Sequence, residues 1–266
     1  MHQIRLIWPG TIPQLSVEDL ATALKRWLEM LASELQDAVI AFNCRCELRV
    51  LASRPESLAK HQSRQLRIRA HFDDMERGKD ALPAESARHW QEAAALVEAE
   101  EWSQGILPSR YYSPLHGIFD RAYILALYTY DLHLKKIAAD LEAAATSNIS
   151  VRTEIGPLQQ ALLKATQEFG SQFRQLKEVR DSLEHKEDRA RGKDKGGKPL
   201  RLPTTPGGGR ILILGASDSS TFRTVIHDGS LGSVEISIDA LAFVERSLQK
   251  ILDSVLWNGP PRLHIL

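Results

Sequence analysis

Six consecutive residues near the middle of the chain carry the side chains with which a protein can bind a phosphate and move a proton: Arg180-Asp181-Ser182-Leu183-Glu184-His185. An arginine stays charged and can stabilise negative charge on a phosphate, whereas a histidine exchanges a proton near neutral pH. Asp181 and His185 are four residues apart, so on a helix they share a face. There Asp181 could select the tautomer of His185 and raise its basicity.

The same residues also allow a purely structural interpretation. Arg180 falls within or beside an apolar helical stripe, where a guanidinium is costly unless an acid or a phosphate meets it. Glu184 follows four residues later and could pair with Arg180 as an ordinary salt bridge at the edge of a bundle. Asp181 and His185 would then be a solvated pair on the helix surface. The residues of the motif leave both interpretations open.

A basic, glycine-rich segment follows the motif directly. From Lys186 to Arg210, glycines and prolines argue against regular structure, and eight basic residues face three acidic ones. The whole chain has a formal net charge of zero, so any attraction to an anionic partner must be local. The composition of the segment favours disorder in the free protein. Its candidate substrate contacts are Arg191, Lys193, Lys195 and Lys198.

The element that must position the motif is a long helix from about Thr153 to Arg189, with Pro157 in its first turn. Its apolar stripe consists of Leu158, Leu162, Ala165, Phe169, Phe173, Leu176, Val179 and Leu183. On a straight helix Arg180 and His185 would lie about 140° apart. A single straight helix therefore does not bring them together, and either a second copy of the chain or a kink at the helix end is needed.

The remaining periodicity predicts a mainly α protein: a helical bundle with a small antiparallel β-meander inserted before the last helix. Earlier helices are predicted at residues 16–51, 56–77, from Pro83, and 115–145. The buried side of the last of these is predicted to be Ile118, Ala122, Leu125, Tyr128, Leu132 and Ile137. Ile4 to Trp8 is predicted as a strand or an extended arm. The predicted meander strands are Ile211–Leu214, Phe222–Ile226 and Val234–Ile238, followed by a helix capped by Asp239.

Several classes of function lack their sequence signals. No apolar run approaches the length that crosses a bilayer, and residues 1–9 do not resemble a signal peptide, so we expect a cytoplasmic protein without membrane attachment. Cys44 and Cys46 are expected to be reduced. The chain has no phosphate-binding loop, zinc-protease motif or serine-hydrolase elbow, and Ile211–Ser217 lacks the further glycines of a dinucleotide-binding fold. We expect no metal and no cofactor.

The spacing of Arg180 and His185 resembles the Arg-x4-His motif of HEPN domains, helical bundles that commonly act as metal-independent endoribonucleases. The similarity covers roughly Pro114 to Trp257. It implies that Arg180 contacts the scissile phosphate, that His185 exchanges a proton with the RNA, and that Asp181 orients the site. Glu184, Lys186 and Arg189 would be supporting contacts. HEPN ribonucleases are generally dimers whose motifs meet across the interface.

The resemblance also implies an organisation and a function. It implies that residues 114–266 form a HEPN-like bundle with a basic loop at 186–210 and a β insertion at 211–238. It says nothing about residues 1–113, which the apolar periodicity predicts to be an N-terminal helical region of unknown role. The leading hypothesis is a dimeric RNA hydrolase of toxin–antitoxin or defence systems, with an antitoxin or another regulator as a possible partner. The alternative is a non-catalytic HEPN-like module that binds nucleic acid, a nucleotide or a protein. A third hypothesis is a purely structural helical interaction protein.

Overall fold

A computed structural model describes residues 1–53, 55–78, 82–108, 111–194, 196–200, 202, 212–218 and 220–265, with the backbone alone at 55–58 and 189. Of the described residues, 68% are helical, and a few small antiparallel sheets are present. The predicted mainly α fold, with a small β-meander before the last helix, is therefore confirmed.

The helices are α1 (Glu18–Ser53), α2 (Pro55–Glu76), α3 (Pro83–Ser103), α4 (Tyr112–Ser147), α5 (Ile149–Gln172), α6 (Leu176–Glu184), α7 (Lys186–Ala190) and α8 (Ile238–Asp253). The strands are β1 (Arg5–Trp8), β2 (Ile12–Pro13), β3 (Ala216–Ser217), β4 (Thr221–Val225), β5 (Leu231–Glu235), β6 (Trp257–Asn258) and β7 (Arg262–Ile265).

The chain divides into two compact units. The first combines Met1–Asn43 with Phe119–Leu266, and the second is Cys44–Ile118. The first unit draws on both ends of the chain because β1 pairs with β7, and β2 with β6, in antiparallel register. The division expected between residues 113 and 114 falls in the first turn of α4, and it stays a prediction about domains.

The second unit contains the hairpin of α2 and α3. Its small core holds Ile68, Ala93 and Val97. Arg64 and Arg67 of α2 make ion pairs with Glu100 and Glu101 of α3. Since these pairs neutralise much of the positive charge on α2, this helix offers a weaker site for an anionic partner than its arginine content suggests.

The core of the first unit is formed by side chains of α1, α4, α5 and α8. Asn148 caps α5, because its side chain accepts hydrogen bonds from the backbone N–H groups of Ser150 and Val151. The apolar stripe predicted on α5 is buried as far as Phe169. The Phe169 ring stacks on that of Tyr130 from α4, with 5.5 Å between ring centres.

The buried side predicted for α4 is wrong. Leu125 and Leu132 are exposed. Of the predicted residues, Ile137 is buried and Tyr128 is half-buried. The side chains that face the core are Tyr123, Ile124, Leu127, Tyr130, Leu134, Ile137 and Leu141. The helix carries apolar residues on more than one side, so its periodicity alone allowed two choices of buried face.

The single helix predicted from Thr153 to Arg189 is also wrong, since the chain forms α5, α6 and α7 there. Helix α5 ends at Gln172, because the backbone of the following residue, its C-cap Phe173 (φ −114°, ψ 50°), leaves the helical region. Two glutamines flank this break and hold β5: Gln172 donates to Glu235 (3.0 Å), and Gln175 accepts from the Ser233 N–H (3.0 Å). These contacts join the break to a strand far along the chain, which helical periodicity cannot reveal.

The strands β3, β4 and β5 form the meander, in that order, and α6 packs against β4 and β5. The approach is close at Gly232. A Cβ atom there would lie 2.4 Å from Cγ2 of Ile226 and 3.1 Å from Cγ2 of Val179. Of the first predicted strand, Ile211 lies outside the described residues, and the regular strand is Ala216–Ser217. The Ile213 carbonyl still accepts a hydrogen bond from the Val225 N–H (2.8 Å).

The two ends of the chain form two further small sheets. The strand expected near residues 4–8 is confirmed as β1, whereas β6 and β7 were not predicted. The turn between β6 and β7 consists of Gly259, Pro260 and Pro261. These residues are typical of loops, so the sequence pattern does not indicate strands on either side of them. The helix after the meander begins at Ile238 and is capped by Ser237 rather than by Asp239, since the Ser237 hydroxyl accepts from the Ala240 N–H (3.0 Å).

Candidate functional site around Arg180 and His185

The short helix α6 carries most of the motif, and its buried face fixes how the helix is rotated. Leu176 and Val179 are buried on this face. Ser182 is also buried, and its hydroxyl donates to the Val225 carbonyl of β4 (2.5 Å). Because this bond ties α6 to the meander, it holds Arg180 and Asp181 at the edge of the buried face. This anchoring role of Ser182 was not predicted, although its place three residues after Val179, on the same helix face, was a usable signal.

Arg180 is held against an aromatic ring. Its guanidinium carbon lies 3.9 Å from the centre of the Tyr128 ring of α4. Its Nη1 atom contacts Asp181 Oδ1 (3.0 Å) and Glu184 Oε2 (2.5 Å). The side chain is 21% exposed, and its buried Nε atom has no hydrogen-bond partner among the described residues. The expected contact with Glu184 is therefore present, together with a partner, Tyr128, that the motif does not reveal.

The charges around Arg180 balance locally. Asp181 and Glu184 offset Arg180 and Lys177, whose Nζ lies 4.0 Å from Asp181. An ion pair with an exposed partner such as Glu184 contributes only about 0–1 kcal/mol. A cation–π contact contributes about 0.5–2 kcal/mol, depending on how far it is desolvated. A phosphate could thus displace Glu184 while Tyr128 still holds the guanidinium in place.

His185 stands at the end of α6, as its C-cap. Its backbone N–H donates to the Asp181 carbonyl (3.1 Å), and its side chain is 44% exposed. The carboxylate that the structure pairs with the ring is Asp188, with Oδ2 3.8 Å from Nδ1, beyond hydrogen-bonding distance. This differs from the expected support by Asp181, whose side chain is engaged by Arg180 and Lys177. The helix ends at Glu184, so the four-residue relationship between Asp181 and His185 is not that of a continuous helix.

The residues expected to support the site lie in α7 and the loop behind it. Lys186 opens α7 and is exposed. Arg189 also lies in α7, with its side chain outside the description. Arg191, Lys193 and Lys198 are exposed, and Lys195 lies outside the described residues. The described part of the loop therefore presents cations to solvent close after the motif.

The described part of this segment contains α7 and an antiparallel bridge, which corrects the expectation of no regular structure. The expectation of disorder in the free protein stays a prediction. Lys193 and Pro199 form an antiparallel bridge. Asp194 Oδ1 accepts hydrogen bonds from the backbone N–H groups of Gly196 and Lys198, both at 2.8 Å. Leu200 is buried, and it anchors the end of the hairpin. Residues 201 and 203–210 lie outside the described residues.

A second acid–histidine pair, Glu34 of α1 and His133 of α4, lies outside the motif. Their Oε1 and Nδ1 atoms are 3.9 Å apart. Burial raises the pKa of Glu34, with a smaller contribution from Asp37, and burial lowers the pKa of His133. Both shifts favour the neutral forms. Local sequence patterns do not reveal this pair, because its two members lie on different helices.

The described residues contain no cluster of three or more His, Cys, Asp or Glu side chains placed to hold a metal ion. Within the described helices, no segment has the length and apolar character needed to span a bilayer. Comparison of the chain with protein-family models finds no matching family, and comparisons with curated proteins and with solved structures find no match. Fold and site define a mainly α protein with an Arg/His motif on a short helix packed against a β-meander.

Proposed function

We propose that this chain is a HEPN-like, metal-independent endoribonuclease in which Arg180 and His185 act on the RNA backbone. The observation that carries the proposal is the setting of Arg180, which stacks on Tyr128 and is 21% exposed beside a displaceable carboxylate. His185, five residues later, is exposed. The resemblance to the Arg-x4-His motif supports the proposal, because in HEPN ribonucleases the arginine and the histidine of this motif act in the same reaction.

The proposed reaction is attack of a 2′-hydroxyl oxygen on the adjacent phosphorus. A neutral histidine takes the hydroxyl proton, the new P–O bond forms, and the bond to the 5′-oxygen breaks. A protonated histidine gives a proton to that leaving oxygen. Arg180 releases Glu184, binds the phosphate in its place and stabilises the negative charge that develops on the phosphate. One motif supplies a single histidine, so two copies of the chain would supply the base and the acid.

A homodimer is therefore part of the proposal, and α4 offers a surface for it. Leu125 and Leu132 are exposed. They lie seven residues apart on the side of α4 that also carries Tyr128, the ring beneath Arg180. Two copies that covered these leucines would bring their Arg180 side chains towards one interface. A cytoplasmic role in a toxin–antitoxin or defence system, with an antitoxin as regulator, belongs to the same proposal.

A specific observation also favours a second candidate, a non-catalytic HEPN-like module or structural protein. In one copy, Arg180 Nη1 already makes ion pairs with Asp181 and Glu184, and the carboxylate that pairs with the His185 ring among the described residues is that of Asp188 (3.8 Å). Such a salt-bridge cluster can hold α6 in place without any reaction. The exposed cations Arg191 and Lys198 would then bind a nucleic acid or an acidic protein without cleaving it.

The test is cleavage of a labelled single-stranded RNA in the presence of EDTA. Wild type should cut, and Arg180→Ala and His185→Ala should lose at least about a hundredfold in rate while remaining folded. Arg246→Ala and His61→Ala are matched controls, because both residues are exposed and lie outside the motif. Equal cleavage by all variants would overturn the proposal. RNA binding without cleavage by wild type would favour the binding module.

A further inference from the structure

The sheet of β1 and β7 is protected on one edge by side chains of α8. The Arg5 N–H donates to Glu245 Oε1 (3.0 Å), and the Ile7 N–H donates to Gln249 Oε1 (2.8 Å). Gln249 Nε2 in turn donates to the Ile7 carbonyl (2.8 Å). The two side chains thus satisfy backbone groups that a neighbouring strand would otherwise bind, which closes this edge to other chains.

The opposite edge, along β7, has no such cover from any described residue. In an antiparallel pair, successive residues turn their backbone groups alternately towards and away from the partner strand. Since Arg5 and Ile7 bond to α8, the residues that bond across the pair are Leu6 with His264 and Trp8 with Arg262. The N–H and C=O groups of Leu263 and Ile265 therefore point outward. None of the described residues hydrogen-bonds to them.

The side chains at this edge are apolar on one face of the sheet. Ile7 pairs with Leu263 and is 54% exposed, and Leu263 and Ile265 are 60% and 57% exposed. Three large apolar side chains thus meet water on a sheet of two four-residue strands. A lone exposed apolar residue is ordinary, but a contiguous group beside a free strand edge is typical of an interaction site.

The other face of β7 is basic. It carries Arg262 and His264, and Arg262 makes no ion pair with any described residue. The free backbone row requires a partner in extended conformation, since only a strand presents donors and acceptors at matching intervals. The alternation along β7 defines that partner's side chains: apolar beside Leu263 and Ile265, and acidic beside Arg262 and His264.

We propose that the open edge of β7 binds an extended segment of a partner protein, one that alternates apolar and acidic residues and adds a third strand to the sheet. A second copy of this chain fits less well. Antiparallel pairing of two β7 strands about His264 would place the two histidines opposite each other and both Arg262 side chains on one face, without an acid. The proposal does not depend on the proposed ribonuclease activity.

The experiment uses the full chain and a fluorescently labelled six-residue peptide that alternates glutamate with valine, with fluorescence anisotropy as the readout. Its matched control alternates lysine with valine. The glutamate peptide should bind at least roughly tenfold more tightly, an amount equal to a single charge-assisted contact. Arg262→Glu should reverse this preference. Equal binding of both peptides by wild type would overturn the proposal.

A second variant tests the strand edge itself. Leu263→Pro removes an outward N–H while leaving the groups that pair with β1 unchanged, and proline is tolerated at such positions. It should weaken binding of the glutamate peptide roughly tenfold, while a thermal melt like that of wild type reports an intact fold. Unchanged binding in this variant would overturn the proposal. So would a wild-type dimer that Leu263→Pro converts to a monomer, since a second copy would then occupy the edge.

Discussion

The guanidinium carbon of Arg180 lies 3.9 Å from the centre of the Tyr128 ring, so a cation on α6 rests on an aromatic face of α4. This contact explains how an arginine can sit at the edge of an apolar helix face without being fully buried. It also separates the two interactions of the guanidinium: the ring holds its position, and the carboxylates of Asp181 and Glu184 offset its charge.

Tyr128→Leu should therefore lower the free energy of unfolding by about 0.5–2 kcal/mol more than Tyr128→Phe does, because phenylalanine keeps the aromatic face. Urea denaturation of both variants measures the difference. A double-mutant cycle with Arg180→Leu isolates the pair, and a coupling energy near zero would show that the contact does not stabilise the fold.

Ser182→Ala should lower the free energy of unfolding by about 1–3 kcal/mol, because it leaves the buried Val225 carbonyl without its hydroxyl donor. The matched control is Ser171→Ala, whose hydroxyl bonds to the Gln167 carbonyl on an exposed part of α5. Chemical denaturation of the two variants gives the comparison. Equal effects would mean that Ser182 does not anchor α6 to the meander.

Gly232→Ala should destabilise the protein by about 1–3 kcal/mol, since its Cβ would lie 2.4 Å from Cγ2 of Ile226, directly after β4, and 3.1 Å from Cγ2 of Val179 in α6. Gly170→Ala should act oppositely. Outside its own helix backbone and chain neighbours, no described atom lies within 4 Å of the added Cβ, and alanine favours a helix interior by about 0.5–1 kcal/mol over glycine. Thermal melts of both variants check the signs, and a stabilised Gly232→Ala protein would contradict the close packing described above.

His133 should make the protein less stable as the pH falls. Burial lowers its pKa in the folded state, so the unfolded chain binds more protons as the pH drops below the ordinary histidine value of about 6.5. His133→Gln should therefore lose less stability than wild type between about pH 7.5 and pH 5. Burial raises the pKa of nearby Glu34, so this carboxyl group lowers the stability of the fold as the pH rises above its ordinary pKa. This effect opposes that of His133. The free energies of unfolding of wild type and variant are therefore compared with each other at each pH. His61→Gln, at an exposed position, is the control, and an identical slope for His133→Gln and wild type would contradict the prediction.

If the basic loop binds RNA, Arg191→Ala combined with Lys198→Ala should weaken binding and also flatten its dependence on salt. Each lost phosphate contact lowers the slope of log affinity against log salt by about 0.7 for a single strand, so two contacts lower it by about 1.4. Titrations at several salt concentrations measure the slope. Arg246→Ala combined with Lys250→Ala on α8 is a control with the same charge loss. A slope that changes equally in both double variants would place the RNA elsewhere.

Much of the helical architecture could be predicted from local signals. Pro83 begins α3, Gly78 follows α2, and apolar spacing identifies the stripe on α5 as far as Phe169. The pairing of Arg180 with Glu184 could be predicted as well, because residues four apart meet on any helix. These features depend on a few neighbouring residues, and so the local chain specifies them.

Other features depend on residues far apart in the chain. The end of α5 before Phe173 reflects glutamines that bond to β5, and the buried side of α4 follows the stacking of Tyr130 on Phe169. The contact of the Arg180 guanidinium with the Tyr128 ring likewise joins two helices that are distant in the chain, α6 and α4. A helix with apolar residues on several sides leaves more than one packing open. The packing that forms is the one that gives the most favourable burial and hydrogen bonding for all the elements together. A local sequence pattern covers one element at a time, so it cannot predict this choice.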